Sequence, residues 1–275
     1  MSTDTATRAE TFHTLHQGPA PLILANAWDA ASARLFESLG AKAIATTSAG
    51  VAWAHGYPDG DSLPFEHLLA TVNAITRIIQ VPLTIDLEGG YSDDPAQVAA
   101  NAARLIEAGV VGINLEDGAG APIVLCEKIA QVRQVSARLG VRLFINARTD
   151  VYLRGLVPEA LRKDEALARA EQYRAAGADG LFVPGLVDAE GLQAITRGTP
   201  LPVNAMVRPG LPNALELQGL GVRRLSSGTS IPLALWGQAT ALVTAFLADG
   251  RAEPLFQGAA NYAALNALMK PASSP

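Results

Sequence analysis

Short apolar runs rich in Ile, Leu and Val alternate along the chain with longer stretches in which apolar residues recur every three or four positions. The first pattern is that of a strand covered on both faces, the second that of a helix with one buried stripe. The strands read as Leu22 to Ala25, Ala43 to Thr46, Leu83 to Asp86, Gly112 to Leu115, Leu143 to Asn146, Gly180 to Val183, Pro202 to Met206 and Arg223 to Leu225. Helices fill the gaps, roughly Ala30 to Leu39, Phe65 to Gln80, Pro95 to Ala108, Cys126 to Leu139, Asp164 to Ala176, Ala189 to Arg197, Asn213 to Leu220 and Pro232 to Ala248. Eight strand-helix units in succession predict a parallel sheet, because parallel neighbours need a crossover between them.

Three of the helices close on the same punctuation, Leu39-Gly40-Ala41, Ala108-Gly109-Val110 and Ala176-Gly177-Ala178. A glycine just past a helix end supplies the left-handed cap before the chain turns into the next strand. Eight such even units predict an α/β fold of the (β/α)8 TIM-barrel class; a doubly wound sheet, the competing architecture, would not use eight strands so evenly. Barrel chemistry sits at the carboxyl ends of the strands, where this chain places Asn26, Asp29, Ser48, Asp86, Glu88, Glu116, Arg148, Asp150 and Asn204. Ala6 to Gln17 predict a helix ahead of strand one that plugs the barrel's bottom, and Glu253 to Met269 a terminal helix after a break at Gly250. Residues 1–275 are expected to form one barrel domain, with 251–275 as a C-terminal helical extension.

Composition narrows the class further. Hydrophobic residues make up 49% and charged ones 17%, enough apolar material for a large core. The net charge of −5, with acids and bases interspersed, provides neither a nucleic-acid footprint nor a polybasic membrane anchor, so small-molecule partners are expected. The single cysteine, Cys126, excludes an intramolecular disulfide framework and fits a reducing compartment, with the cytoplasm as the expected location. The first residues, MSTDTATRAETFHTL, carry early acids and no apolar h-region, unlike a secretory signal. Ile231 to Ala248 is the most membrane-like stretch, but Gly237, Gln238 and Thr240 interrupt it and it lacks interfacial anchors, so a buried helix is expected. That helix is apolar on more than one side and must be covered by the terminal helix or by another subunit, which predicts an oligomer.

The rim holds the chemistry. Asp86-Leu87-Glu88 ends one apolar run and Glu116-Asp117 another. Residues two apart on a strand share a face, and neighbouring strands lie about 4.8 Å apart, which would bring Asp86, Glu88 and Glu116 into one small volume. Such carboxylates repel one another unless a cation intervenes, and the lack of nearby His or thiolate points to Mg²⁺ or Mn²⁺. Taken singly, each acid reads equally as a strand-end cap. Asp117 should point the other way. Arg148, just after strand five, suits a carboxylate or a developing oxyanion, and also a structural ion pair with the acids. Ser48, Ala49 and Gly50 offer small residues and backbone N–H groups at the end of strand two. The long connection Ala52 to Pro64 has lid-like composition, with Asp59 as a gating or acid-base candidate. Cys126 reads as a packed thiol, and only His55 among the histidines falls near the mouth. Asn204 and Arg208 are placed to contact a substrate's tail.

At these residues the chain resembles the isocitrate lyase / phosphoenolpyruvate mutase superfamily, over roughly Pro21 to Leu247. The resemblance rests on Thr46-Thr47-Ser48-Ala49-Gly50-Val51, Gly56-Tyr57-Pro58-Asp59, Asp86-Leu87-Glu88-Gly89-Gly90-Tyr91, Asn114-Leu115-Glu116-Asp117 and Asn146-Ala147-Arg148-Thr149-Asp150, in that order. It implies a (β/α)8 barrel with an N-terminal helix and an eighth helix swapped between paired subunits, in a tetramer built as a dimer of dimers. It further implies Mg²⁺ near Asp86, Glu88 and Glu116, a 2-oxo acid chelating that metal, the Ser48 to Gly50 backbone on the substrate carboxylate, Arg148 on a 2-oxo acid oxygen, and Asp59 as the gate.

Two departures qualify that implication. The lyases for isocitrate and 2-methylisocitrate carry a Lys-Lys/Arg-Cys-Gly-His loop after the Glu-Asp motif; here Gly118-Ala119-Gly120-Ala121-Pro122-Ile123-Val124-Leu125-Cys126 replaces it, which argues against isocitrate cleavage. Glu88 stands where many members have Asp. The expected activity is Mg²⁺-dependent C–C cleavage or decarboxylation of a small 2-oxo or 2-hydroxy dicarboxylate through an enolate. The alternatives are a 2-oxo acid binding protein with little chemistry and a phosphonopyruvate-type P–C bond enzyme.

Overall fold

The protein is seen in a computed structural model that describes residues 3–270; residues 1–2 and 271–275 of the expected domain and its extension lie outside them. The predicted strands form a single parallel sheet of β1 (Leu22–Leu24), β2 (Asn26–Ala27), β3 (Ile44–Thr46), β4 (Leu83–Asp86), β5 (Gly112–Glu116), β6 (Phe144–Arg148), β7 (Gly180–Phe182), β8 (Val203–Met206) and β9 (Arg224–Ser226). The first predicted strand is interrupted at Ala25, so β1 pairs with β9 while β2 pairs with β3. Two ends of the sheet thus meet in one continuous stretch of chain, and the nine strands make a nearly closed barrel of the (β/α)8 type.

Around it run α1 (Thr3–Leu15), α2 (Ala30–Ser38), α3 (Ser48–Ala54), α4 (Phe65–Thr76), α5 (Pro95–Glu107), α6 (Pro122–Arg138), α7 (Arg162–Ala176), α8 (Ala189–Gly198), α9 (Ala214–Gly219), α10 (Ser230–Asp249), α11 (Glu253–Phe256) and α12 (Tyr262–Leu268). Gly40, Gly109 and Gly177 all take positive φ, the left-handed turn the punctuation predicted. Asp29 is the N-cap of α2, its carboxylate accepting from the Ser32 N–H at 2.7 Å, and so is occupied by the helix rather than by a ligand. Helix α6 begins at Pro122, four residues ahead of the expected Cys126, because proline at the first helical position needs no N–H partner.

The N-terminal helix α1 does plug the bottom of the barrel. Phe12 is fully buried, and the His16 ring stacks on Phe144 at 4.1 Å. Close approach is possible because Gly112 has no side chain: a Cβ there would lie 2.7 Å from the Phe12 ring. The fully apolar strand row of Ile113, Leu115, Ile145 and Ala147 is sealed under the surrounding helices.

Three expectations are corrected. The terminal helix is two short helices, because Gly258 turns left-handed and Asn261 then caps a fresh start by accepting from the Ala264 N–H. Helix α10 is not buried within the chain: only Pro232 is, and Trp236, Val243, Phe246 and Leu247 stand exposed. It is the one helix among the described residues long and apolar enough to cross a membrane. The stretch after β3, expected as a loop, is helix α3.

Candidate active site

Strand register assembles the mouth of the barrel. It sets Asp86 beside Asn114 and Asn114 beside Asn146, and two residues further along sets Glu116 beside Arg148. Because alternate residues share a face, these rows converge at one end of the lumen. A cavity of about 230 Å³ opens there, lined by Ser48, Asp59, Asp86, Asn114, Arg148 and Arg208 among others. A second cavity of about 640 Å³ is lined by Glu116, Gly118, Gly120, Lys128 and Arg154 among others.

Arg148 is the most constrained side chain of the group. Its Nε and Nη2 donate to the two Asp150 carboxylate oxygens at 2.7 and 3.1 Å, and its Nη1 lies 2.5 Å from Glu116 Oε2. Burial works against the guanidinium charge, but Glu116 and Asp150 more than offset it and hold its pKa above the ordinary arginine value. Both readings of Arg148 therefore hold geometrically: it is ion-paired, and it still lines the mouth.

The three acids do not share one volume as strand spacing suggested. Asp86 lines the mouth cavity, where the Ser48 N–H and Asn114 Nδ2 approach it only at 3.4 Å. Glu116 lines the second cavity, its Oε2 buried without a hydrogen bond of good geometry despite the nearby arginine. Glu88 lies two residues beyond the end of β4 in a left-handed conformation, φ 52°, so the alternation rule no longer applies to it. Its carboxylate accepts from the Asp61 N–H at 2.6 Å and from the Tyr91 hydroxyl at 3.0 Å. Burial, followed by the charges of Asp86, Asp61 and Asp59, pushes Glu88 up to about 7. Burial also pushes Glu116 up to about 8, with Arg148 opposing and Asp86 adding.

Among the described residues, no group of three or more His, Cys, Asp or Glu side chains is gathered tightly enough to cage an ion. The donor set nonetheless fits a hard cation: it is all oxygen, Asp86 has no close partner, and the buried Glu116 Oε2 is unsatisfied. Of the three acids, Asp86 is the one that lines the mouth cavity, with Glu116 lining the second cavity.

Other expected residues fall elsewhere. Thr47 and Ser48 reach the cavity but Ala49 and Gly50 do not. Gly50 serves packing, since a Cβ there would lie 2.9 Å from the Trp28 Cβ. Asn204 is sealed in the lumen, donating to Ser226 Oγ at 3.0 Å, too deep to meet a substrate tail, whereas Arg208 stays at the rim. Asp117 turns away as expected, accepting from the Asp150 N–H, Arg169 and the Tyr173 hydroxyl. Cys126 is half-buried and its thiol is pushed up by burial, opposite to an activated nucleophile. None of the four histidines lines the mouth; His55 instead pairs with Thr71 Oγ1 at 2.8 Å.

Two elements escaped sequence reading. Asp61 staples the long β3–β4 connection to the next loop, its two carboxylate oxygens accepting from the Gly89 and Tyr91 N–H groups at 3.1 Å each. A ladder of lumen amides, Asn114, Asn146 and Asn204, crosses the barrel with Asn146 Nδ2 donating to both of the others at 2.9 and 3.2 Å. An Asn at matching depth in three strands was the signal for it.

Residues 12–247 match the family profile described as phosphoenolpyruvate phosphomutase. The chain belongs to that family. The chain is similar to the uncharacterized protein Rv1998c of Mycobacterium tuberculosis, 36% identical over 247 residues, spanning 88% of this chain and 91% of the relative. The oxaloacetate decarboxylase of Bradyrhizobium sp. is 30% identical over 230 residues, 79% of this chain and 76% of the relative. Among solved structures, a phosphonomutase candidate from Burkholderia cenocepacia J2315 is 42% identical with a TM-score of 0.82, covering 86% of this chain and 99% of its own. Oxaloacetate acetylhydrolase, solved with the product oxalate, shares the fold at a TM-score of 0.84 and 20% identity over 96% of this chain and 94% of its own. Proteins similar to this chain thus include one named as a decarboxylase and one named as a phosphonomutase candidate.

Proposed function

We propose that the protein is a Mg²⁺-dependent lyase or decarboxylase, with Mn²⁺ as a substitute metal, that cleaves a C–C bond in a small 2-oxo or 2-hydroxy dicarboxylate. The observation that carries this reading is one small cavity lined both by Asp86, a carboxylate with no close partner, and by the Arg148 guanidinium. A metal ion bound at Asp86, with Glu88 and Glu116 around it, supplies Lewis-acid polarisation of a substrate oxygen. Arg148 is pre-ordered by Asp150 and Glu116, so it stabilises negative charge on the 2-oxo acid oxygen without reorganising. The Ser48 N–H sits at the cavity wall to receive a substrate carboxylate, and exposed Asp59 at the rim is the gate. The likeness to an oxaloacetate decarboxylase supports the same substrate class.

Asp86→Ala and Arg148→Ala test this directly. Each is expected to lower Mg²⁺-dependent turnover of oxaloacetate or an alkylmalate by about 10²-fold or more while the protein stays folded; wild-type rates in either variant refute the assignment. A second reading has one observation in its favour: the segment Gly118 to Ala121 brings no acid or base to the cavities. Calorimetry with 2-oxo acids followed by product assays on the same samples separates them, since binding without turnover across a substrate panel indicates an oxo-acid binding protein. Phosphorus NMR on phosphonopyruvate checks for P–C bond chemistry.

The exposed face of α10 belongs to the same proposal. We assign it to a second copy of the chain, with helices exchanged in a dimer of dimers, in the cytoplasm.

A further inference from the structure

Arg224 lies on β9 inside the barrel, only 2% exposed, and is the largest fully buried side chain in the molecule. Its Nε and Nη1 have no hydrogen-bond partner, and among the described residues it makes no ion pair. An unpaired guanidinium in that position costs several kcal/mol of desolvation that nothing in its surroundings returns. Its one polar contact is specific: Nη2 donates to Asn114 Oδ1 at 3.2 Å. Asn146 Nδ2 donates to the same oxygen at 2.9 Å. With Oδ1 taken by two donors from below, the Asn114 amide has a single available orientation, which aims its Nδ2 at Asp86 Oδ1, 3.4 Å away. Asn114 and Asp86 both line the mouth cavity, and Arg224 does not.

We infer that Arg224 is a positioning residue: acting through Asn114 it orients Asp86 in the mouth, and it places a positive charge beneath the cavity where an anionic substrate binds. Asp86 is also the carboxylate whose charge acts on Arg224, with the Asn114 amide hydrogen-bonded between them. The Phe12 ring beneath the guanidinium, 5.9 Å from its Cζ, supplies only a weak contact on the other side. A residue kept for stability would not be left in this condition, since an apolar side chain of similar length fills the same space without the desolvation cost. The inference rests on the proposed oxo-acid site for its anion and on the lumen geometry for the rest.

Arg224→Met is the test, read in three ways. Its melting temperature is expected at or above that of the wild type. Its affinity for pyruvate in the presence of MgCl₂, by calorimetry, is expected to fall about tenfold or more, the size of one charge acting in an effective dielectric of about 20. KM for oxaloacetate rises in proportion, more than kcat falls. In paired metal-free crystal structures the Asn114 amide turns and Asp86 loses its orientation toward it. Pyruvate affinity within twofold of the wild type together with unchanged Asn114 and Asp86 rotamers overturns the inference. So does a large drop in melting temperature with the affinity of the folded protein intact, which makes Arg224 a structural residue. Arg224→Gln carries the same measurements if the methionine variant does not fold, and failure of both to fold also assigns a structural role. A wild-type protein that binds no pyruvate sinks the proposed function instead, and the positioning role then stands or falls on the paired crystal structures alone.

Discussion

Glu88 and Glu116 hold protons more tightly than free glutamates because burial penalises their ionised forms and neighbouring acids add to that penalty. Both shifts are upward, to about 7 and about 8, so between pH 5 and 8 the folded, metal-free protein binds more protons than the unfolded chain. Stability without metal should therefore fall as pH rises through that window. A divalent cation must displace those protons, so its apparent affinity should rise with pH and level off above about pH 8. Thermal melts with and without MgCl₂ from pH 6 to 9 check this: the stabilisation by Mg²⁺ is expected to grow across the series, and a constant increment contradicts it. Glu116→Gln, which mimics the protonated acid, is expected to remove most of that pH dependence.

Helix α1 and the strands it plugs present the opposite sign. His16 is buried against Phe12 and Phe144, and burial followed by the Arg224 charge pushes its imidazole down to about 3. Below the ordinary histidine value of 6.5 the unfolded chain takes up a proton that the folded protein refuses, so the contribution of His16 to stability is full above pH 6.5 and is lost toward pH 3, by about 1.4 kcal/mol per pH unit. His16→Leu is expected to flatten that acid limb in urea denaturation, and an unchanged slope would show that the ring is protonated in place. Phe12→Ala, which empties a fully buried site in contact with the barrel floor, should cost about 3–5 kcal/mol by the same measurement.

Taken as a whole molecule, the single chain leaves its longest helix bare. Helix α10 spans 20 residues, yet Leu233, Trp236, Phe246 and Leu247 are exposed, and α11 and α12 do not cover them. Helix α12 instead docks on α2, where Arg34 Nε donates to the Leu268 carbonyl at 3.2 Å. A contiguous apolar face of this kind calls for a partner surface. Light scattering without detergent is expected to give a tetramer, and Trp236→Glu combined with Phe246→Glu to give smaller species with the barrel intact. A wild-type monomer that partitions into vesicles would replace the second copy with a membrane.

The main succession of strands and helices, the glycine caps, the N-terminal plug and the placing of Asp86, Arg148 and Glu116 at the carboxyl ends of their strands were legible in the sequence, because periodicity and turn chemistry are local. Where Glu88 points was not, since the chain leaves the strand at Asp86 and a left-handed turn resets its direction. Nor was the role of Asn204, Gly50 or Asp29, each claimed by hydrogen-bonding, packing or capping partners within the fold. The amide ladder and the buried Arg224 emerge only when barrel closure brings residues from four strands together in the lumen. Register and burial are properties of the closed barrel, and they alone decide which carboxylates remain free to meet a ligand.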